Sequence, residues 1–182
     1  MDKEILKLSF IAPTGYGKST AVKIICDKFE GAVNIKLAAP LYRLQKYFYR
    51  FIGVVLTGEQ DGELLQFLGC KIQKEAPDFL AQTFYRSFCK ASQFANIITN
   101  DDCRPHNYQF LKNLGFKFVR IQGLQWNRND HTKVDQGHLV EKGIENLQCN
   151  YFLDNFSSLE EYKSNVLLMM EGLIQWNKRE IP

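Results

Sequence analysis

The sequence lacks the features that mark secreted, membrane-spanning and repetitive proteins. No apolar run approaches the roughly 18 residues that a membrane-spanning helix needs, and the start, Met-Asp-Lys-Glu, lacks the basic and apolar regions of a signal peptide. The five cysteines are odd in number and show no C-x-x-C spacing, which argues against a disulfide framework or a zinc site. No repeat, low-complexity tract or linker interrupts the 182 residues. We therefore expect a single cytoplasmic domain, residues 1–182, with reduced thiols and no membrane partner.

The sequence also lacks a strong excess of either charge. It has 23 basic and 20 acidic residues, which leaves a net charge of +3. This balance is too weak to require a nucleic-acid partner, and we expect none, although it suits small anionic substrates if the basic groups converge. The fractions of apolar residues, 45%, and charged residues, 24%, are those of an ordinary globular protein.

One stretch, Ala12-Pro-Thr-Gly-Tyr-Gly-Lys-Ser19, carries a chemical signature. It follows an apolar run and leads into a predicted helix, the arrangement of a phosphate-binding P-loop. Glycines allow successive N–H groups to point at one anion, and the start of the helix adds its dipole. Lys18 would reach the β- and γ-phosphates and Ser19 would bind Mg²⁺. The strict pattern has glycine where Ala12 stands. The predicted nucleotide-binding residues are Ala12, Pro13, Thr14, Gly15, Tyr16, Gly17, Lys18, Ser19 and Thr20.

Apolar strands alternate with helices along the whole chain, which predicts an α/β fold. We expect a three-layer, doubly wound parallel sheet of about five strands. The predicted strands are 6–11, 32–37, 95–99, 116–121 and 149–154. The predicted helices are 18–29, 40–52, one resuming at 63, 77–91, 105–114, 137–147 and one from 157 to about 176.

Two segments interrupt this alternation and predict flaps over a substrate. Residues 40–92 form a helical insertion, with Gly69 either breaking a helix or allowing close approach. The aromatic residues of the insertion, Tyr42 among them, line a base pocket or simply pack. Residues 123–137 form a polar lid, and Arg120 and Arg128 either clamp phosphates or are ordinary surface charges. Asp102, after the third strand, is a candidate Mg²⁺ ligand or a solvated loop residue.

Several short motifs, in their order along the chain, resemble the phage-type deoxynucleoside monophosphate kinases of the P-loop nucleotide kinase group. Besides the P-loop they are Lys36–Leu41, Leu64–Gly69, Pro77–Phe79, Asp102-x-Arg104-x-x-Asn107, Asp130–His131 and Tyr151–Asn155. The sequence departs from the family at Ala12, Ala39, where the family has an acid, and Tyr108, where Glu is common.

The resemblance implies that ATP sits on the P-loop and that the acceptor monophosphate lies between the insertion and the sheet edge. It implies a catalytic group of Lys18, Arg104 and Arg128, with His131 as a hydrogen-bonding residue that orders the lid. It implies the substrate-binding residues Tyr42, Gln66, Gly69, Arg104, Arg120, Arg128, Asp130 and His131, and the metal ligands Ser19 and Asp102. A phage-encoded protein would act in the host cytoplasm.

The expected activity is the ATP- and Mg²⁺-dependent phosphorylation of a deoxynucleoside 5′-monophosphate. The alternatives are a P-loop kinase for another acceptor, such as a modified base in DNA, and a nucleotide-binding regulatory protein. The aromatic helix at 40–56 and the final helix could offer a homodimer interface.

Overall fold

The computed structural model of the chain describes residues 4–56, 60–123 and 143–179, and within them two compact units. The first contains the residues up to Asn34 and those from Ala91 onward, and the second is Ile35–Lys90. The strands are β1 (Leu6–Ile11), β2 (Ala32–Asn34), β3 (Ile97–Asn100), β4 (Lys117–Gly123) and β5 (Tyr151–Asn155). The helices are α1 (Lys18–Lys28), α2 (Ala39–Phe51), α3 (Gly62–Glu75), α4 (Phe79–Ser92), α5 (Pro105–Asn113) and α6 (Leu159–Arg179).

The first unit contains a parallel five-stranded sheet in the order β2-β3-β1-β4-β5, which confirms the predicted fold class. Strand β1 is central: it is almost wholly buried and pairs on both edges, with β3 and with β4. The chain leaves β1 towards β2 and later crosses from β3 to β4, so its connections run to opposite sides. Ligands of doubly wound sheets bind at such a reversal, beyond the carboxyl ends of the strands.

Helices cover both faces of this sheet. On one face, Leu8 and Phe10 of β1 belong to a buried cluster with Val22 of α1 and Val166 of α6. Each large apolar side chain buried there contributes roughly 1.5–3 kcal/mol. On the opposite face, the ring of Tyr108 in α5 packs 4.2 Å, centroid to centroid, from that of Phe118. The three predicted layers are therefore present. Among the described residues, no helix has both the length and the apolar character that membrane crossing requires.

Some predicted boundaries differ from the structure. The predicted second strand, 32–37, ends at Asn34, which pairs with Thr99 of β3, and the next residue, Ile35, already belongs to the second unit. Of the predicted helix 137–147, the described part contains only a short 3₁₀ turn, Ile144–Asn146. Gly123, the predicted first residue of the lid, is the last residue of β4. The rest of the predicted lid lies outside the described residues.

The second unit consists of three helices, as the sequence predicts. Pro40 stands in the first turn of α2, where its missing N–H leaves no intrahelical bond unmade. Helix α3 continues through Gly69, so the glycine does not break it, and an added Cβ would make an ordinary 3.6 Å contact with Leu41 Cδ1. Asp61 caps α3 by accepting a hydrogen bond from Leu64 N at 3.0 Å.

Asp61 yields a pH-dependent prediction for this helical unit. The Leu64 N–H, and then the Tyr49 hydroxyl at 2.7 Å, lower the pKa of the Asp61 carboxyl. A lowered folded pKa means that the stabilisation is present above the ordinary aspartate pKa of about 3.9 and is lost as the pH falls through the folded value. We expect Asp61→Ala to lower the free energy of unfolding at neutral pH by about 1 kcal/mol, measured by thermal unfolding.

The matched control is Asp61→Asn, which keeps a capping oxygen but cannot titrate. We expect this variant to be nearly as stable as the wild type at neutral pH and to lose less stability on acidification. If the wild type and Asp61→Asn lost stability in parallel down to about pH 3, the carboxylate would not be the cause.

Candidate active site

The predicted phosphate loop has the backbone geometry that its glycines allow. Gly15 and Gly17 adopt φ angles of 88° and 92°, in the left-handed region that favours glycine. Helix α1 begins at Lys18, with Gly17 as its N-cap residue. No side chain caps this helix, and its first turn contains no acidic residue. The amino end of α1 is therefore suited to an external anion.

The ammonium group of Lys18 lies at this loop. The side chain is only 9% exposed, and its Nζ donates to Ala12 O at 2.6 Å and to Pro13 O at 2.7 Å. Ala12, at the position that departs from the family glycine, is itself buried. Ser19, the candidate Mg²⁺ ligand, is exposed at the second position of the helix.

Polar side chains gather at the carboxyl end of β3, the strand beside β1. Ser9 Oγ donates to Asn100 Oδ1 at 3.0 Å, and Asn100 Nδ2 donates to Asp102 Oδ1. Asp101 is buried and accepts a hydrogen bond from Asn34 Nδ2 at 3.1 Å. Within the three described ranges, no cluster of three or more His, Cys, Asp or Glu could hold a metal ion. The role of Asp102 as a metal ligand stays a prediction.

A buried thiol lies among the charged residues of the site. Burial raises the pKa of Cys103 to about 12, although a hydrogen bond with Ser9 lowers it in part. The charges of Asp102, Arg104 and Lys18 also act on the pKa of this thiol, Asp102 raising it and the two cations lowering it. Because Cys103 stays neutral at physiological pH, it is a packing residue rather than a nucleophile.

Arg104 has its backbone fixed by the asparagine three residues later. It is the N-cap residue of α5, and its N–H donates to Asn107 Oδ1 at 2.8 Å. The amide of Asn107 is buried and closes the first turn of the helix. This contact explains the spacing Asp-x-Arg-x-x-Asn: the asparagine sets the backbone from which Arg104 projects.

The other predicted site residues lie in different places. Arg120 donates through both guanidinium Nη atoms to Ile144 O and through Nη2 to Leu147 O, so it holds the segment before β5. Its predicted contact with a phosphate stays a prediction. Tyr42, Gln66 and Gly69 belong to the second unit. The predicted lid residues Arg128, Asp130 and His131 lie outside the described residues.

The second unit contains a cationic groove that sequence reasoning did not single out. Its volume is about 630 Å³. It is lined by Lys36, Tyr42, Gln45, Lys46, Tyr49, Arg50, Val54, Leu56 and Gln60. Three of these side chains are basic and none is acidic. Lys36 Nζ lies 5.6 Å from the centre of the Tyr42 ring. The sequence held one sign of this groove: Tyr42, Lys46 and Arg50 are spaced four residues apart, which places their side chains on one face of the helix.

The sequence also did not predict two hydrogen bonds to the phosphate loop. Asn155 Nδ2 donates to Tyr16 O at 3.2 Å, and the Tyr162 hydroxyl donates to Gly17 O at 3.0 Å. Asn155 ends a parallel strand, so its position at the ligand-binding edge could have been expected. Tyr162 is an internal helix residue 145 positions from Gly17, and no local pattern indicates the contact.

The sheet order, the helices on both faces and the glycine loop before α1 define a three-layer α/β fold. The structure of a gluconokinase from Sinorhizobium meliloti 1021 shares this fold, with 14% sequence identity over 97% of this chain and 98% of that one, and a TM-score of 0.52. A dephospho-CoA kinase from Campylobacter jejuni shares it with 14% identity over 94% and 98% of the two chains and a TM-score of 0.51. No protein-family model and no curated protein sequence matches the chain. At this level of identity the likeness concerns the fold alone.

Proposed function

We propose that this protein is a kinase that transfers a phosphoryl group from ATP, with Mg²⁺, to a deoxynucleoside 5′-monophosphate. Its fold is shared with two proteins that are named as kinases. The acceptor is proposed from the motifs that resemble the phage-type deoxynucleoside monophosphate kinases and from the chemistry of the cationic groove.

The main support for a nucleotide-binding site is the amino end of α1, which no side chain caps. Helix α3 shows the contrast within the same chain, because the Asp61 side chain caps it. Helix α1 instead has Gly17 at its N-cap, no acidic residue in its first turn and the Lys18 ammonium beside the loop. A helix start of this kind is complementary to phosphate oxygens.

The residues of the loop fit a triphosphate bound with a divalent cation. The hydroxyl of Ser19 and the carboxylate of Asp102 are oxygen ligands of the kind that Mg²⁺ prefers, with phosphate oxygens and water completing its shell. When bound, Mg²⁺ would neutralise charge on the transferring phosphate. Lys18 and the amide groups of the loop would orient the phosphates, and the proposed catalysis is mainly positioning and electrostatic stabilisation.

The cationic groove supports a nucleotide as the acceptor. Its volume of about 630 Å³ falls within the range of small-molecule sites. Lys36, Lys46 and Arg50 offer positive charge for a phosphate, while Tyr42 and Tyr49 offer rings for a planar base. A small sugar acid would use the charges but would not need two tyrosine rings. We therefore assign the acceptor to this groove as part of the proposal.

The groove predicts a specific change in kinetics. In the double variant Lys46→Ala/Arg50→Ala we expect the KM for the acceptor to rise more than tenfold, because charged hydrogen bonds contribute about 1.5–3 kcal/mol each. The KM for ATP should change little. The matched control is Arg43→Ala, which removes an exposed cation of the same helix that does not line the groove. An equal rise in the control would refute the assignment.

The activity itself is tested by incubating the protein with ATP, Mg²⁺ and each common or pyrimidine-modified deoxynucleoside monophosphate. Formation of ADP and one or a few diphosphates supports the proposal and identifies the base. Transfer only to an oligonucleotide that contains a modified base would show that the acceptor is a base in DNA and not a free monophosphate. ATP binding with no transfer to any acceptor would favour a regulatory nucleotide-binding protein instead.

A further inference from the structure

Two buried side chains from the last third of the chain donate hydrogen bonds to the backbone of the phosphate loop. Asn155, at the end of β5, is 4% exposed, and Tyr162, in α6, is 1% exposed. Each donates a hydrogen bond to a carbonyl of consecutive loop residues, Asn155 to Tyr16 and Tyr162 to Gly17. The carbonyl of Gly17 also accepts the first hydrogen bond of α1, from Ala21 N at 2.9 Å.

The direction of these carbonyls determines the direction of the neighbouring amides. No peptide bond of the described chain is cis, and in a trans peptide the C=O and N–H point in opposite directions. The carbonyl of Tyr16 shares its peptide with the N–H of Gly17, and the carbonyl of Gly17 shares its peptide with the N–H of Lys18. Holding the two carbonyls towards β5 and α6 therefore turns the two N–H groups the other way.

We infer that Asn155 and Tyr162 are positioning residues that aim the Gly17 and Lys18 amides at the phosphates of a bound nucleotide. Neither side chain touches the nucleotide in this role. Each acts through a loop carbonyl, and together they link the end of the chain to the phosphate site near its beginning. The inference depends on the proposed nucleotide site and goes beyond it, since it assigns the alignment of that site to residues outside the P-loop motif.

Close packing around Gly17 supports this role. A Cβ added at Gly17 would lie 2.9 Å from Asn155 Nδ2 and 3.2 Å from the Tyr162 hydroxyl oxygen. Burial raises the pKa of the Tyr162 hydroxyl, so it remains a protonated donor at physiological pH. The two side chains are therefore in direct contact with the backbone they orient, and they offer it donors at all working pH values.

Both positioning residues are themselves held in place. Asn155 is paired with Gly123 in the sheet, and a Cβ at Gly123 would meet the backbone of Asn155, its Cα at 3.0 Å. The amide of Asn165 in α6 donates to Asp154 O at 3.2 Å, which ties that helix to the end of β5. Tyr162 packs within the same buried cluster as Val166. Because neighbouring groups hold Asn155 and Tyr162 in place, these two residues can hold the loop backbone in one orientation.

The test removes one hydroxyl and measures phosphate affinity. We expect Tyr162→Phe to weaken binding of ATP-Mg²⁺ and of inorganic triphosphate by a similar factor, about three- to tenfold, in calorimetric titration. The two ligands share only their phosphates, so equal weakening identifies the loop amides as the cause. The KM for the acceptor should not change. Asn155→Asp, which replaces the donor amide by an oxygen facing Tyr16 O, should weaken both ligands at least as much.

The matched control is Tyr108→Phe. The Tyr108 hydroxyl also donates to a backbone carbonyl, that of Gln148, at 3.0 Å, but on the opposite face of the sheet. This variant should retain wild-type affinity for both ligands. If folded Tyr162→Phe and Asn155→Asp bound triphosphate as tightly as the wild type, their role would be packing alone and the inference would be overturned. A wild-type protein that binds neither ligand would instead refute the proposed nucleotide site.

Discussion

Replacing Lys18 with alanine is expected to lower phosphoryl transfer on the order of 10²–10³-fold while leaving the fold intact. Removal of a preorganised electrostatic group from a catalytic site has effects of this size. The fold should survive because the Lys18 ammonium donates to Ala12 O and Pro13 O, two carbonyls of the loop itself. Losing neutral-acceptor contacts of this kind costs about 1 kcal/mol each. Steady-state kinetics and circular dichroism measure the two effects separately.

The control for this experiment is Lys23→Ala, which removes an exposed cation from the same helix. We expect its turnover to be that of the wild type, because the charge of Lys23 lies away from the loop carbonyls. Near-normal turnover of a correctly folded Lys18→Ala protein would remove the basis of the proposed mechanism. Lys18→Arg should also be impaired, because a planar guanidinium does not replace a compact ammonium.

Replacing Gly17 with alanine is expected to weaken ATP binding more than tenfold and to destabilise the protein. Gly17 has a φ angle of 92°, and an L-residue in the left-handed region costs roughly 1–2 kcal/mol. The new Cβ would also lie 2.9 Å from Asn155 Nδ2 and 3.1 Å from Tyr162 Cε1, so the side chains that hold the loop must move. Calorimetric titration with ATP-Mg²⁺ and thermal unfolding test the two parts of this prediction.

Gly53→Ala is a matched control for the backbone contribution. Gly53 also has a positive φ, 70°, but an added Cβ would meet nothing within 4 Å. It should show the backbone cost in thermal unfolding without loss of ATP affinity. If Gly17→Ala and Gly53→Ala bound ATP equally well, the packing around Gly17 would be unimportant for the phosphate site.

The elements that depend on local sequence could be predicted. The apolar run Leu6–Ile11 is the central strand, Lys18 begins the first helix, and Pro40 stands in the first turn of the next one. Apolar runs that alternate with helical segments were enough to predict a parallel α/β sheet, which the structure confirms. Boundaries were less certain at the ends of elements: β2 was expected to reach residue 37 but stops at Asn34, where its pairing with β3 ends.

The partners of individual side chains could not be predicted in the same way. The sequence left Arg120 open between a phosphate ligand and an ordinary surface charge, and it gave no sign that the guanidinium donates to the carbonyls of Ile144 and Leu147. The sequence did not single out Lys46 and Arg50, which line a groove together with Val54 and Gln60. A side chain's charge can be read from the sequence, but the groups that meet it cannot.

The phosphate loop shows which features follow from local sequence and which depend on the tertiary structure. Glycine at positions 15 and 17, followed by lysine at the start of a helix, determines locally that backbone amides and a positive charge can surround an anion. Only the tertiary structure decides what holds that loop in place, because Asn155 and Tyr162 are 139 and 145 positions away from the carbonyls they bind. Backbone conformation depends on nearest neighbours along the chain, whereas these hydrogen bonds depend on the pairing of β5 with β4 and on the packing of α6 against α1.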